Sequence, residues 1–283
     1  MTRTDAFRHV AQVVNRSGTS FYWSMRLLPK NRRLGIYSVY AFCREVDDIA
    51  DCDLLPSEKL EKLGEWRQEI DKVFSGTPKT LIGQALQSSA GTFGLNKIDF
   101  LRVIDGMEQD SAFEVRIRDW GSLEEYIDRV SCSVGRLSNP IFGIRGEKNE
   151  KLEKSLGQEL QLTNILRDLF EDASDNRLYV PRDMICEQGI FSEIPIEVIL
   201  HPEFKEIYKK IIKRAEILFE RACCIISAGN RENVAPTSLM LQNYWRVLKK
   251  IEKTKVPTRG ETFALSKFEM MWILLRYGIL KWH

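Results

Sequence analysis

Residues 31–52, NRRLGIYSVYAFCREVDDIADC, decide how the rest of the chain reads. Ile36, Tyr40 and Cys43 recur at helical spacing along one side, and the same line runs on into Asp47 and Asp51. A surface helix sets its charges opposite its apolar stripe. Charge that continues an apolar stripe is the pattern of a buried cavity with a polar end. Asp47 and Asp51 are four residues apart and share a face, where like charges repel at a cost of about 0.2–0.5 kcal/mol. Arg44, three residues before Asp47, has two readings: a plain local ion pair with Asp47 and Asp48, or a cation aimed into the cavity.

The pattern returns in residues 149–172, the second key helix. Gln161, Asn164, Asp168 and Asp172 step by three, four and four along a segment otherwise marked by Leu156, Leu160, Leu162, Ile165, Leu166 and Leu169. Amides and carboxylates are hard oxygen donors. Two such ridges call for positive charge between them, and two or three Mg²⁺ ions shared with a phosphate-bearing ligand supply it most economically. Arg167, beside Asp168, is placed to reach a diphosphate.

Outward from these two stretches the chain reads as helix: 5–14, 57–75, 79–93, 97–110, a segment opening at Leu123, then 193–200, 202–228, 236–252 and 262–281. Ser122 to Glu125 has the form of a capping box for the helix at Leu123. Phe100, Val103, Ile104 and Met107 form an apolar stripe that ends at Glu108-Gln109-Asp110. Gly135 inside a helix costs about 1 kcal/mol against Ala, which close packing or a ligand's approach would explain. Ser17-Gly18-Thr19-Ser20 reads first as a capping turn and second as a loop donating to an anion. Pro29 breaks the chain before residue 31. Asp175-Asn176-Arg177 is a turn and residues 178–182 are extended. Residues 262–281, aromatic and flanked by Lys, read first as a core helix and second as a segment lying on a membrane surface. No strand-period alternation, repeat or Pro/Gly/Ser linker appears, so the expectation is one all-α domain over residues 1–283.

Composition narrows the function. Of 283 residues, 43% are hydrophobic and 29% charged, the range of an ordinary globular chain. A net charge of +2 gives no basic field for nucleic acid. The six Cys (43, 52, 132, 186, 223, 224) have no CxxC spacing and read as reduced thiols of a cytoplasmic protein. The three His (9, 201, 283) are scattered, against an imidazole metal site or a His-centred triad. Residues 1–6 lack the apolar core of a signal peptide, and no run of 18 apolar residues is present. What the residues do support is ionisation of an allylic diphosphate. The four Asp with Asn164 would hold the metal, Arg44 and Arg167 would hold the leaving group, and Phe21, Tyr40, Val130, Val134 and Leu160 would keep the carbocation from water.

The chain resembles the squalene/phytoene synthases, the head-to-head prenyl transferases. The resemblance rests on Ser20-Phe21-Tyr22, Leu28-Pro29 with Arg33, and the run Tyr40 to Asp51. It continues in Gly106 to Asp110, Tyr126, Val134-Gly135, Gln161 to Asp168, Glu171-Asp172, Arg177 and Tyr179-Val180-Pro181. It covers roughly residues 15 to 250, and Tyr22 to Pro29 with Gly106-Met107-Glu108 is most similar to the bacterial hopanoid-pathway members that make presqualene diphosphate. It implies an isoprenoid-synthase helical bundle around a central apolar cavity, Mg²⁺ as cofactor and farnesyl diphosphate as substrate. Metal-binding roles fall on Asp47, Asp48, Asp51, Asn164, Asp168 and Asp172. Diphosphate contacts fall on Ser17, Ser20, Arg44, Gln161 and Arg167. Cavity-lining or cation-steering roles fall on Phe21, Tyr40, Tyr126, Val134 and Gly135, with Tyr244 closing the pocket. Relatives more often carry consecutive Ser where this chain has Gly18-Thr19, and the segments around Tyr244 and after Thr254 match loosely. Prenyl chain length therefore stays open, as do oligomeric state and peripheral contact with the inner face of the membrane. The rival readings are a phytoene synthase using geranylgeranyl diphosphate, a complete NADPH-dependent squalene synthase, and a non-catalytic scaffold; the last should have lost its Asp motifs, which are intact.

Overall fold

The computed structural model describes residues 3–19, 21–228, 231–254, 263–274 and 276. Fifteen α-helices among the described residues carry almost all of the regular structure, and the expected all-α fold is what is found. The first six are α1 (Arg3–Arg16), α2 (Tyr22–Arg26), α3 (Lys30–Asp51), α4 (Pro56–Ser75), α5 (Leu81–Phe93) and α6 (Lys97–Asp110). Their ends follow local chemistry. Pro29 precedes α3, Pro56 opens α4, and the Glu58 carboxylate accepts from the Leu55 N–H at 2.9 Å. The Thr80 hydroxyl and the Asn96 side chain cap α5 and α6.

Next come α7 (Trp120–Ile127), a π-helical turn (Asp128–Cys132) and α8 (Ser133–Phe142). The helix expected to open at Leu123 starts earlier. Asp119, not Ser122, is its cap: Asp119 Oδ1 accepts from the Ser122 N–H at 2.8 Å and from its hydroxyl at 2.9 Å. An acid three residues ahead outcompetes a hydroxyl for the exposed N–H groups of the first turn.

The second key stretch is two helices, α9 (Glu147–Arg167) and α10 (Leu169–Ser174). Asp168 sits between them at φ −100°, ψ 12°. The Arg167 guanidinium grips both oxygens of its neighbour, Nε to Oδ1 at 2.7 Å and Nη2 to Oδ2 at 2.6 Å. A regular helix turns successive side chains about 100° apart, so a fork between adjacent residues goes with a departure from helical geometry.

Two short strands, β1 (Val115–Arg116) and β2 (Arg177–Leu178), pair in parallel with Val115 opposite Arg177. Then follow α11 (Arg182–Glu187), α12 (Pro195–Leu200), α13 (Phe204–Ser227), α14 (Arg231–Lys253) and α15 (Lys267–Ile273). The remainder of the expected 262–281 helix lies largely outside the described residues.

The apolar core forms two clusters. One is built on α1 and α3 to α6, centred on Phe42, Phe100 and Leu86. The other is built on α7, α9 to α13 and the end of α14, centred on Tyr208, Phe204 and Leu166. α9 feeds both, with Leu152 and Leu156 in the first and Leu162, Ile165 and Leu166 in the second. Among the described residues no helix is long and apolar enough to cross a membrane.

Candidate active site

A cavity of about 320 Å³ runs between α3, α6, α8, α9 and α14, with α2 over it. From α3 the wall takes Ile36, Tyr40, Cys43, Arg44 and Asp47, so the stripe read from the sequence lines it as far as Asp47. α8 contributes Val134 and Gly135, α9 contributes Leu160, Gln161 and Asn164, and Val130 comes from the π-helical turn. Phe21 and Tyr244 complete the roof; their rings lie parallel with centroids 6.0 Å apart. The Tyr244 hydroxyl bonds the side chains of Asn164 and Arg167, which ties the roof to the acidic end.

Gly135 has the packing reason expected of it as well as the cavity-facing one. A Cβ there would meet Glu153 Cβ at 3.3 Å. Gly157 does the same from the other side, since its Cβ would lie 3.0 Å from the backbone N and Cα of Cys132. The two glycines let α9 and the π-helical turn with α8 approach backbone to backbone.

Beyond Asp47 the polar end continues outside the cavity wall. Arg177, the first residue of β2, donates to Asp51 Oδ1 at 3.0 Å and to the Ala50 carbonyl at 3.3 Å. Its charge also acts on Asp47, Asp110 and Asp172. The acidic ends of α3, α6 and α10 therefore converge around one guanidinium. Even with Arg44 near Asp47 and Arg167 on Asp168, the positive charge there is too little for them. Partial burial and then the charge of Asp51 push the Asp47 carboxyl up to about 6, against the pull of Arg44. Burial and then Asp168 push Asp172 up to about 8. Burial pushes Asp110 up to about 6, while hydroxyl bonds from Tyr179 and Tyr126 oppose it.

Arg44 makes the local pairs considered above, Nη2 to Asp48 Oδ1 at 2.6 Å and Nη1 to Asp47 Oδ2 at 3.8 Å, and also lines the cavity. Asp48 and Asp51 are exposed at the end of α3 and do not line it. Asp168 and Arg167 hold each other beside it. Ser17 lies in the turn after α1, its hydroxyl donating to the Val14 carbonyl at 2.9 Å, and α2 has no side-chain cap. Ser20 lies outside the described residues.

Tyr126 is placed elsewhere than in the cavity wall. It is buried, stacks on Tyr179 at 4.9 Å, and donates to Asp110 Oδ2 at 3.0 Å. Tyr179 donates to the other oxygen, Oδ1, at 2.8 Å. Burial among aromatic neighbours directs both hydroxyls to Asp110, the nearest acceptor that needs them.

Sequence reasoning gave no role to Arg177 or Asp110. The signal for Asp110 was present: it ends the stripe through Val103 and Met107 as Asp47 ends that of α3. Arg177 carried no such signal, because a lone arginine after a turn has no period to read.

Among the described residues no three Asp, Glu, His or Cys side chains form a protein-only cage. Mg²⁺ does not require one; it keeps waters and takes one or two carboxylates with substrate phosphates. Asn164 Oδ1 is buried without a hydrogen-bond partner. A buried orphan oxygen costs about 1–3 kcal/mol. With the raised carboxyls of Asp47 and Asp172, it marks a place short of positive charge, and the residues fit a hard cation.

Known proteins are similar to this chain along almost its whole length. The family model for squalene/phytoene synthase matches residues 14–269. A presqualene diphosphate synthase of Sinorhizobium fredii is 36% identical over 278 residues, covering 98% of this chain and 99% of the relative. One from Rhodopseudomonas palustris is 36% identical over 263 residues, covering 93% and 94%. The crystal structure of a dehydrosqualene synthase in complex with ligand superposes with a TM-score of 0.84 over 99% of this chain and 98% of that one, at 23% identity, a likeness of fold.

Proposed function

The chain belongs to the squalene/phytoene synthase family of prenyl transferases, and on that premise we propose that it condenses two farnesyl diphosphates head to head into presqualene diphosphate, releasing one diphosphate. One observation carries the proposal: an apolar cavity whose polar end adjoins a carboxylate cluster short of positive charge. The near full-length presqualene diphosphate synthase relatives support this product over phytoene.

Asp47, Asp51, Asp168, Asp172 and Asn164, with Asp48 at the rim, are the residues proposed to hold Mg²⁺. Bound there, the metal supplies Lewis-acid stabilisation of the departing diphosphate. Arg44, Arg167 and Gln161 orient the diphosphate, and Arg177 keeps the carboxylates together before substrate arrives. Phe21, Tyr40, Val134 and Tyr244 exclude water from the allylic cation. The double bond of the second farnesyl group attacks that cation, and loss of one proton closes the cyclopropane. Holding two flexible chains in register supplies a large share of the rate. Product leaves toward a lipid surface; exposed Met271 and Trp272 support peripheral contact at α15, where Arg246 and Arg276 flank the Trp272 ring at 4.3 and 5.0 Å.

Stoichiometry tests the reading. Purified enzyme with farnesyl diphosphate and Mg²⁺ should release one diphosphate for every two substrates consumed. Release of one for every substrate would mean hydrolysis or a reaction carried past presqualene diphosphate, and would contradict it.

A further inference from the structure

A carboxylate stands at the far end of the cavity, where an apolar wall is expected. Glu153 of α9 lines the cavity and is 7% exposed. Its depth follows from residue spacing along three helices that line the cavity. α3, α6 and α9 carry Asp47, Asp110 and Asn164 at their acidic ends, and eleven residues earlier stand Ile36, Asp99 and Glu153. Eleven residues of helix span roughly 16 Å at 1.5 Å per residue. That is comparable with the reach of three extended isoprene units.

Arg136 fixes Glu153 from behind. Its Nε donates to Asp99 Oδ1 at 2.6 Å and its Nη1 to Asp128 Oδ1 at 2.8 Å, and Nη1 stands 3.8 Å from Glu153 Oε1. On the outer side Arg136, Asp128 and Glu153 border a charged cleft of about 880 Å³ that also touches Arg102 and Lys154. Glu153 is thus the partition between an apolar cavity and a charged cleft. The missing side chain of Gly135 lets α8 lie close to the Glu153 Cβ, where an added Cβ would come within 3.3 Å. Burial raises its carboxyl to about 7, with Arg136 opposing and Asp99 adding to the rise.

We propose that Glu153 is a chain-length stop for the prenyl group, with Arg136 as its positioning residue. The inference rests on the condensation reading above. A farnesyl tail entering from Asp47 ends in apolar contact at the level of Ile36. The fourth isoprene unit of a geranylgeranyl tail would press on the carboxyl and separate it from its polar partners, and an unpartnered buried polar group is costly.

The test compares wild type, Glu153→Ala and Glu153→Gln, each assayed with farnesyl and with geranylgeranyl diphosphate in Mg²⁺. Wild type should favour farnesyl diphosphate. The Ala variant should raise the geranylgeranyl-to-farnesyl ratio of kcat/KM by about tenfold or more, chiefly through the geranylgeranyl KM, which is the scale on which small changes in an apolar pocket discriminate. Gln keeps bulk and polarity and should leave the ratio near that of wild type. Glu153→Val replaces Ala if that variant melts below the assay temperature. An unchanged ratio in a folded Ala or Val variant, or wild type preferring geranylgeranyl diphosphate, would overturn the stop alone. Wild type that condenses neither substrate would overturn the condensation reading and the stop with it.

Discussion

Asp51 meets Arg177 at 3.0 Å, and around that pair the carboxylates of α3, α6 and α10 gather. Asp51→Asn and Asp168→Asn should each lower kcat by about 10²-fold or more, the scale on which removal of a group that stabilises developing charge is felt. Their melting temperatures should stay near that of wild type, because Asp51 is exposed and Asp168 partly so. Turnover at the wild-type rate in either variant would remove that residue from the site. Glu159 makes a different prediction. It is fully buried on α9, Thr163 donates to its Oε1 at 3.3 Å, and Oε2 has no partner. Burial raises its carboxyl to about 8 despite the Thr163 bond. Between the ordinary Glu value near 4.5 and about 8, the folded chain therefore holds a proton that the unfolded chain has released. Stability contributed by that proton is lost as pH rises through this window. Glu159→Gln should raise the melting temperature at pH 8 by several degrees and flatten its decline from pH 5 to 8. A variant that melts lower at pH 8 would contradict the assignment. At this scale the sequence was legible where a stripe ended in acid, as at Asp47. It was mute at Glu153, which lies in a run with exposed Glu150, Lys151 and Lys154 and differs from them only by facing inward.

The π-helical turn at Asp128–Cys132 brings Val130 and Ser131 into the cavity wall and Cys132 against Gly157. Such turns are frequent at functional sites because an extra residue re-aims the side chains beside it. Gly157→Ala would set a methyl group 3.0 Å from the Cys132 backbone, and backbone cannot rotate away. Overpacking of this kind costs typically 1–3 kcal/mol. The denaturation midpoint should fall, and substrate KM should rise as Val130 shifts; an unchanged midpoint would show that the contact relaxes freely. Elements of this size divide sharply in how far sequence reveals them. α3, α4 and α6 fall within a residue of expectation because proline or a capping side chain marks their starts. The break at Asp168 was hidden because an Arg–Asp fork between neighbours leaves the hydrophobic period intact. β1 was hidden because two residues carry no alternation, and β2 overlaps the segment read as extended from residue 178 only at Leu178. At α7 the acid before Trp120 was the better cap than the serine after it.

Across the whole molecule, α9 ties the two apolar clusters together and carries one wall of the cavity from Glu153 to Asn164. The proposed diphosphate end and the proposed prenyl end would thus be opposite ends of the same helices. The fold class and both acidic motifs could be read from local periodicity. The meeting of α3, α6 and α10 around Arg177 could not, because that contact joins residues 126 positions apart. Chelation should abolish turnover and Mg²⁺ should restore it, since raised carboxyls at Asp47 and Asp172 leave Arg177 an insufficient counter-charge. The most direct test of the central claim is identification by mass of the lipid formed from farnesyl diphosphate and Mg²⁺, with and without NADPH. Presqualene diphosphate in both reactions is the predicted result. Squalene appearing only with NADPH, or farnesyl diphosphate left unconsumed, would contradict it.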